Sequence, residues 1–317
     1  MTDTISATAP LYLCIALGFV LARLGFFAKT EFRLLGKFVI QVALPCLLLS
    51  SIASHPIAEI LNPGYLTAYL LGSLGVLFLF YAASSRHSES AKQRTIVNAM
   101  GVCSSNSAFI GYPIVLATLG SVASLALALN MLVENLAMLP VLLVLAERVR
   151  LQSKNSRSMV RGIGKTLLQN PLIWAIVMGG VLSVFDLQLP LPVSRTIVIF
   201  SQSSVAVSLF VIGGSLQGVV RKGLFRRVSP IAFAKLVLHP LMVVLGLWFV
   251  ALLGLPVRPV ALRSAEVLLA AMPMMSIYPI LAQPFGQEDV AAAALVVTTI
   301  ASFLSLNFLL WLLSGFA

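Results

Sequence analysis

Apolar residues run along this chain in long unbroken blocks, separated by short clusters of polar, Gly and Pro residues. Ten blocks predict helices near 5–24, 35–54, 63–84, 95–118, 122–146, 168–186, 193–219, 228–253, 259–282 and 289–314. At about 1.5 Å per residue, a block of about 20 residues crosses a hydrocarbon core about 30 Å thick. The blocks are continuous and rich in Leu and Ala, without the alternation of barrel strands, so they read as membrane helices. The longest polar stretch, RVRLQSKNSRSMVRGIGKTL at 148–167, falls halfway. It divides the chain into a first half of five spans (1–147), a basic cytoplasmic linker (148–167) and a second half of five spans (168–317).

Composition agrees. Of the 317 residues, 59% are apolar and 10% charged, against about 45–50% and about 25% in soluble domains. The net charge of +11 would suit a nucleic-acid partner if it were clustered on a soluble face. Instead, 17 of the 21 Lys and Arg residues fall in loops on one side, among them Arg94, Arg226, Arg227 and Lys165. Only Arg195, Arg258 and Arg263 fall opposite, and Lys235 lies within a span. The positive-inside rule then places the basic loops in the cytoplasm and both termini outside it, in a cell inner (plasma) membrane. The charge reports orientation, and nucleic acid is excluded as a partner. The opening MTDTISATAP has no basic residue of a signal peptide, so the first block is expected to stay as a helix. Cys14, Cys46 and Cys103 lie inside apolar runs, at spacings that suit neither a disulfide framework nor a zinc site.

One pattern occurs twice. Gly111-Tyr112-Pro113-Ile114 has Gly120 seven residues after its proline, and Ile277-Tyr278-Pro279-Ile280 has Gly286 seven after its own. The copies lie five spans apart, an odd number, so the second sits upside down in the membrane. Inverted repeats with Pro- and Gly-interrupted helices at matching positions point to the binding site of a secondary transporter. Proline frees backbone carbonyls that lipid cannot satisfy. In span four Ser104, Ser105, Asn106 and Ser107 precede Tyr112 and Pro113; in span nine Pro273, Met274 and Ser276 precede Pro279. If the two breaks cross, they present unpaired N–H groups to an anion, with Asn106, Ser107 and Ser276 as side-chain donors. Met274 and its neighbouring methionines would then form a soft wall. In the plainer reading the prolines only kink the helices, and the serines bond to their own backbone.

These residues resemble the auxin efflux carrier family. Asn106, with Gly111 five on and Pro113 seven on, is similar to that family's span-four motif, and Val42-Ala43-Leu44-Pro45 to its span-two proline segment. Asn170-Pro171 opening span six and Lys235 five before Pro240 also fit. The resemblance covers essentially the whole chain. It implies an all-α membrane protein of ten transmembrane helices in two inverted five-helix repeats with crossed broken helices. A scaffold part and a transport part are expected, as in bile acid sodium symporters and sodium–proton antiporters. It also implies export of carboxylates held at the crossing, where Asn106 contacts the carboxylate, with malonate and malate as substrates of compact bacterial relatives. A second copy of the chain is a candidate partner; no cofactor is expected beyond Na+ or H+ as coupling ion.

Charges at mid-membrane are costly and mark function by default. Glu134 lies about twelve residues, or about 18 Å, into span five, with Asn130 one turn earlier on the same face. Beside an anion site this carboxylate must bind a proton or a cation, or else serve as a helix–helix contact. The family's plant members are expected to have a neutral glutamine at this place. Glu266, three residues after Arg263, reads equally as an ion pair or a cation ligand. Lys235 lies close enough to the cytoplasmic end of span eight to snorkel, or else serves to attract anions, and His239 reads as a packed polar contact. Gly164-Lys165-Thr166 imitates a phosphate-binding loop, but Met159 stands where its first glycine should be. With no hydrolytic motif, enzyme activity is not expected.

Overall fold

The protein is described by a computed structural model covering residues 2–84, 89–142, 144–145, 164–165, 168–216, 224–257, 259–276 and 278–314. Apart from Gly164 and Lys165, the linker predicted at 148–167 lies outside the described residues. Every one of the ten apolar blocks carries helix. Among the described residues six helices are long and apolar enough to cross a membrane: Thr30–Ala53, Ile57–Ala83, Val122–Leu142, Leu191–Ser215, Arg226–Leu252 and Glu288–Leu312. Shorter apolar helices occupy Ala9–Arg23, Ser107–Leu119 and Pro171–Val184. Large side chains such as Phe78, Trp248 and Leu304 face outward, whereas Asn130, Lys235, His239 and Glu266 are completely buried. This inversion of the soluble pattern is what lipid as solvent demands.

Prolines shape the helices in a specific way. Wide π turns at Val39–Ala43, Ser107–Gly111, Val133–Met138 and Ala234–Leu238 each end two residues before a proline (Pro45, Pro113, Pro140 and Pro240). A proline ring clashes with the carbonyl four residues back and cannot bond to it. Widening the preceding turn moves that carbonyl aside and keeps the helix running. The freed Phe109 carbonyl accepts from the buried Ser208 hydroxyl at 3.0 Å. Asn170 caps the Pro171–Val184 helix, its Oδ1 accepting from the Leu172 N–H at 3.0 Å.

The chain forms two compact units. One comprises 1–62, 108–129 and 168–218, the other 63–107, 130–167 and 219–317. In the first, helices Thr2–Arg23 and Leu191–Ser215 pack backbone to backbone, with Gly18 against the Phe210 carbonyl and Gly213 against the Ile15 carbonyl. Phe27, Phe32 and Phe210 close one end, with ring centroids 5.2–5.7 Å apart.

In the second unit, helix Pro63–Ser84 lies against His239–Leu252. A Cβ at Gly72 would stand 2.6 Å from Val243 Cγ2, and one at Gly246 would strike the Ala68 carbonyl. Small residues let membrane helices approach this closely. Gly246→Val is therefore expected to destabilise the protein by about 1–3 kcal/mol, read as a lower melting temperature in detergent. An unchanged melting temperature would mean that the contact is not tight.

Candidate functional site

Three pairs of polar residues, each spaced four apart on an otherwise apolar helix, converge in the second unit: Tyr69 and Ser73, Asn130 and Glu134, Lys235 and His239. Spacing by one turn puts both members of a pair on one face. Close packing through Gly72 and Gly246 brings the first pair against the third. The His239 Nε2 and the Ser73 Oγ are 3.0 Å apart, and the Tyr69 and His239 rings meet edge-on at 5.7 Å.

Between these helices two extended segments cross. Ser105 and Met274 form an antiparallel bridge, the one strand-like pairing among the described residues. The Asn106 N–H donates to the Pro273 carbonyl at 2.8 Å, and the Met275 N–H to the Ser104 carbonyl at 3.3 Å. Asn106 Nδ2 donates to Ser276 Oγ at 2.9 Å. Each broken helix thus satisfies its interrupted backbone with the other, as hydrocarbon surroundings require. Gly101 admits the Tyr278 ring beside the crossing; a Cβ there would lie 2.7 Å from that ring.

The crossing is bound to a buried charge pair. Glu134 Oε1 accepts from Tyr69 OH (3.0 Å), Ser107 Oγ (2.9 Å) and the Ser105 N–H (3.2 Å). Asn130 Nδ2 donates to Ser107 Oγ at 2.7 Å and so aims that hydroxyl at the carboxylate. On the other side, Lys235 Nζ donates to Ser105 Oγ at 2.7 Å and to the Ala270 carbonyl at 3.1 Å, and lies 2.8 Å from His239 Nδ1. An ammonium has only donors. With Lys235 as the donor, His239 Nδ1 accepts and Nε2–H donates to Ser73, and the Ala270 carbonyl, which also lies 3.1 Å from Nδ1, then accepts from Lys235 and not from the ring. Lys235 spends its three protons on Ser105, Ala270 and His239. Ser105 joins the two charges, accepting from Lys235 through its hydroxyl and donating to Glu134 through its backbone.

Asn106, Ser107, Pro273, Met274, Ser276, Pro279, Asn130, Glu134 and Glu266 all fall in the second unit; Tyr112 and Pro113 fall in the first, both buried. None of the recorded bonds from Ser105, Ser107 or Ser276 goes to its own helix, which sets aside the plainer reading of these serines. Two expectations are corrected. Lys235 does not snorkel, because three buried acceptors hold its ammonium inside the unit. Glu266 does not pair with the exposed Arg263: it is fully buried, and neither carboxyl oxygen has a hydrogen-bond partner among the described residues. Nor do the described residues contain a group of three His, Cys, Asp or Glu side chains able to hold a metal ion.

Tyr69, Ser73 and Ser105 were not among the candidates. The spacing of four that drew attention to Asn130 and Glu134 was available for Tyr69 and Ser73, but a tyrosine in a membrane helix carries little signal alone. One relation was legible and unused: Tyr69 precedes Lys235, and Ser73 precedes His239, by 166 residues, the separation of Pro113 from Pro279.

A family described as membrane transport protein matches residues 3–310 of the chain. A protein of Rhizobium meliloti (strain 1021) named "Putative malonate transporter" is 25% identical over 318 residues, covering 99% of this chain and 97% of that protein.

Proposed function

We propose, from the premise that this chain belongs to the membrane transport protein family, that it exports small dicarboxylates of the malonate and malate class by alternating access. Membership makes it a multi-pass membrane transporter and not an enzyme. The observation that carries the substrate class is the crossing itself. Asn106 and Ser276 offer polar groups there, and the buried ammonium of Lys235 stands one serine away. A positive potential in a low-dielectric interior favours an anion.

Ten helices in two inverted repeats are the arrangement we infer. The first and second spans share a unit with the sixth and seventh, and the third shares the other with the eighth to tenth, while span four divides between units at 107/108 and span five at 129/130. Ser73 and His239, which the repeat makes equivalent, meet directly, as residues near a pseudo-two-fold axis do. With the basic loops in the cytoplasm, both termini lie outside.

Glu134 is the coupling group in this reading. While it is ionised, it balances Lys235 and cancels the attraction for an anion. A proton on Glu134 leaves the ammonium uncompensated, and the substrate supplies the missing negative charge. Lys235 already places one cation beside Glu134, so a sodium ion would be repelled and a proton is favoured. A dianion moving with one proton still carries one negative charge outward, which an inside-negative potential of 100 mV favours by about 2.3 kcal/mol.

Counterflow in liposomes with malonate, malate, lactate and indole-acetate, with sodium or choline, tests this reading. Exchange of the dicarboxylates, independent of sodium, is the expected result. Asn106→Ala keeps the backbone bond to Pro273 and should lower malonate exchange about tenfold, the worth of one good hydrogen bond to a charged group. Full exchange by that variant, with the protein folded, would remove Asn106 from the site.

A further inference from the structure

The second unit holds a cavity apart from the crossing. It has a volume of about 370 Å³ and is lined by Arg94, Arg226 and Arg227 together with Asn98 and Gln287. That volume falls within the usual range of small-molecule sites, about 300–1,000 Å³. Among the described residues no carboxylate lines it. The three guanidinium groups have no ion pair or hydrogen bond among the described residues; Glu288 and Asp289, which follow Gln287 in the chain, are not among the lining residues. Gln287 is 6% exposed. Asn98 Oδ1 is buried without a hydrogen-bond partner among the described residues, and an amide can turn either end to a ligand. Three like charges around one cavity repel each other, and a buried amide oxygen left unpaired costs free energy. A multiply charged oxyanion would answer both, because the planar guanidinium fork matches carboxylate and phosphate oxygens in pairs.

We infer that Arg94, Arg226 and Arg227 form a second anion site, separate from the crossing, which takes a multiply charged oxyanion from the basic, cytoplasmic side. The oxyanion comes either from free solute, including the transported dicarboxylate, or from the headgroup of an anionic lipid. The side from which it loads rests on the orientation proposed above; the binding itself does not.

The test uses the purified full-length chain in neutral detergent, with inorganic phosphate as probe and chloride at equal ionic strength as reference. Phosphate is expected to raise the melting temperature above the chloride reference. The double substitution Arg226→Gln with Arg227→Gln should raise the half-saturating phosphate concentration at least tenfold, and Asn106→Ala should leave it unchanged. Arg226→Lys with Arg227→Lys, which keeps the charge but not the fork, serves if the glutamine pair does not fold; weakened binding is again expected. No stabilisation beyond chloride, or equal phosphate dependence in the arginine variants, would overturn the site.

Repeating the titration in nanodiscs of phosphatidylcholine, with and without phosphatidylglycerol, identifies the source. Competition by phosphatidylglycerol that the arginine substitutions abolish assigns the site to a lipid headgroup. Unchanged phosphate binding assigns it to free anions. If counterflow shows no organic-anion exchange while phosphate still stabilises the protein, the transport reading falls and this site stands.

Discussion

Lys235→Met is expected to cost about 3–5 kcal/mol of stability, the penalty for leaving a buried charge, the Glu134 carboxylate, without its counter-charge. The size follows from the surroundings. Lys235 is fully buried, and its ammonium meets Ser105, Ala270 and His239. Methionine fills nearly the same volume but donates nothing, so Glu134 becomes a buried charge without a counter-charge. The companion prediction makes the pairing testable. Lys235→Met combined with Glu134→Gln should recover most of the loss, because replacing both charges removes the uncompensated one. Melting temperatures of the two single variants and the double variant, compared in one detergent, give the coupling directly. If the double variant is as unstable as the sum of the singles, the two charges do not act as a pair.

Glu134→Gln carries the second large effect, on mechanism. The amide keeps an oxygen to accept from Tyr69, Ser107 and the Ser105 N–H, so the three bonds that orient this side chain survive. What disappears is the group that exchanges a proton. Malonate exchange by the variant is expected to become independent of pH between about pH 5 and 8, while wild-type exchange changes over that range. The other ionisable groups facing Glu134 are Tyr69 and Lys235, with His239 one step behind. A pH profile that survives Glu134→Gln would pass the coupling role to one of these or to Glu266. Loss of the folded protein would instead mark Glu134 as structural, and the double variant with Lys235→Met separates that outcome.

How much of this was legible depended on whether a feature is local. The helical blocks and the break before Pro113 were readable, because apolar length and proline chemistry act within a few residues. The repeated Tyr-Pro-Ile with its glycine was readable too. Gly120 and Gly286 both have positive φ, 66° and 63°, which favours glycine at the ends of the two half-helices. The π turns ahead of four prolines were not foreseen, although each proline was visible. A kink and a widened turn relieve the same clash, and only the packing around the helix chooses between them. Distance along the helix allowed Lys235 either to snorkel or to stay inside as a charge for anions, and it could not choose between them. Whether the side chain reaches water or turns inward depends on acceptors from Ser105 and Ala270, 130 and 35 residues away.

By itself the sequence determined the solvent, the helices and the two places where they break, since apolar run length, charge distribution and proline each act on the chain directly. It also contained the three polar pairs at one-turn spacing. Only the tertiary structure decided that these pairs face one another, that Ser105 links Glu134 to Lys235, and that Glu266 has no hydrogen-bond partner among the described residues. The physical reason is that a buried charge is defined by its partners. Those partners arrive from distant spans, through close contacts such as Gly246 against Ala68 that no local pattern announces.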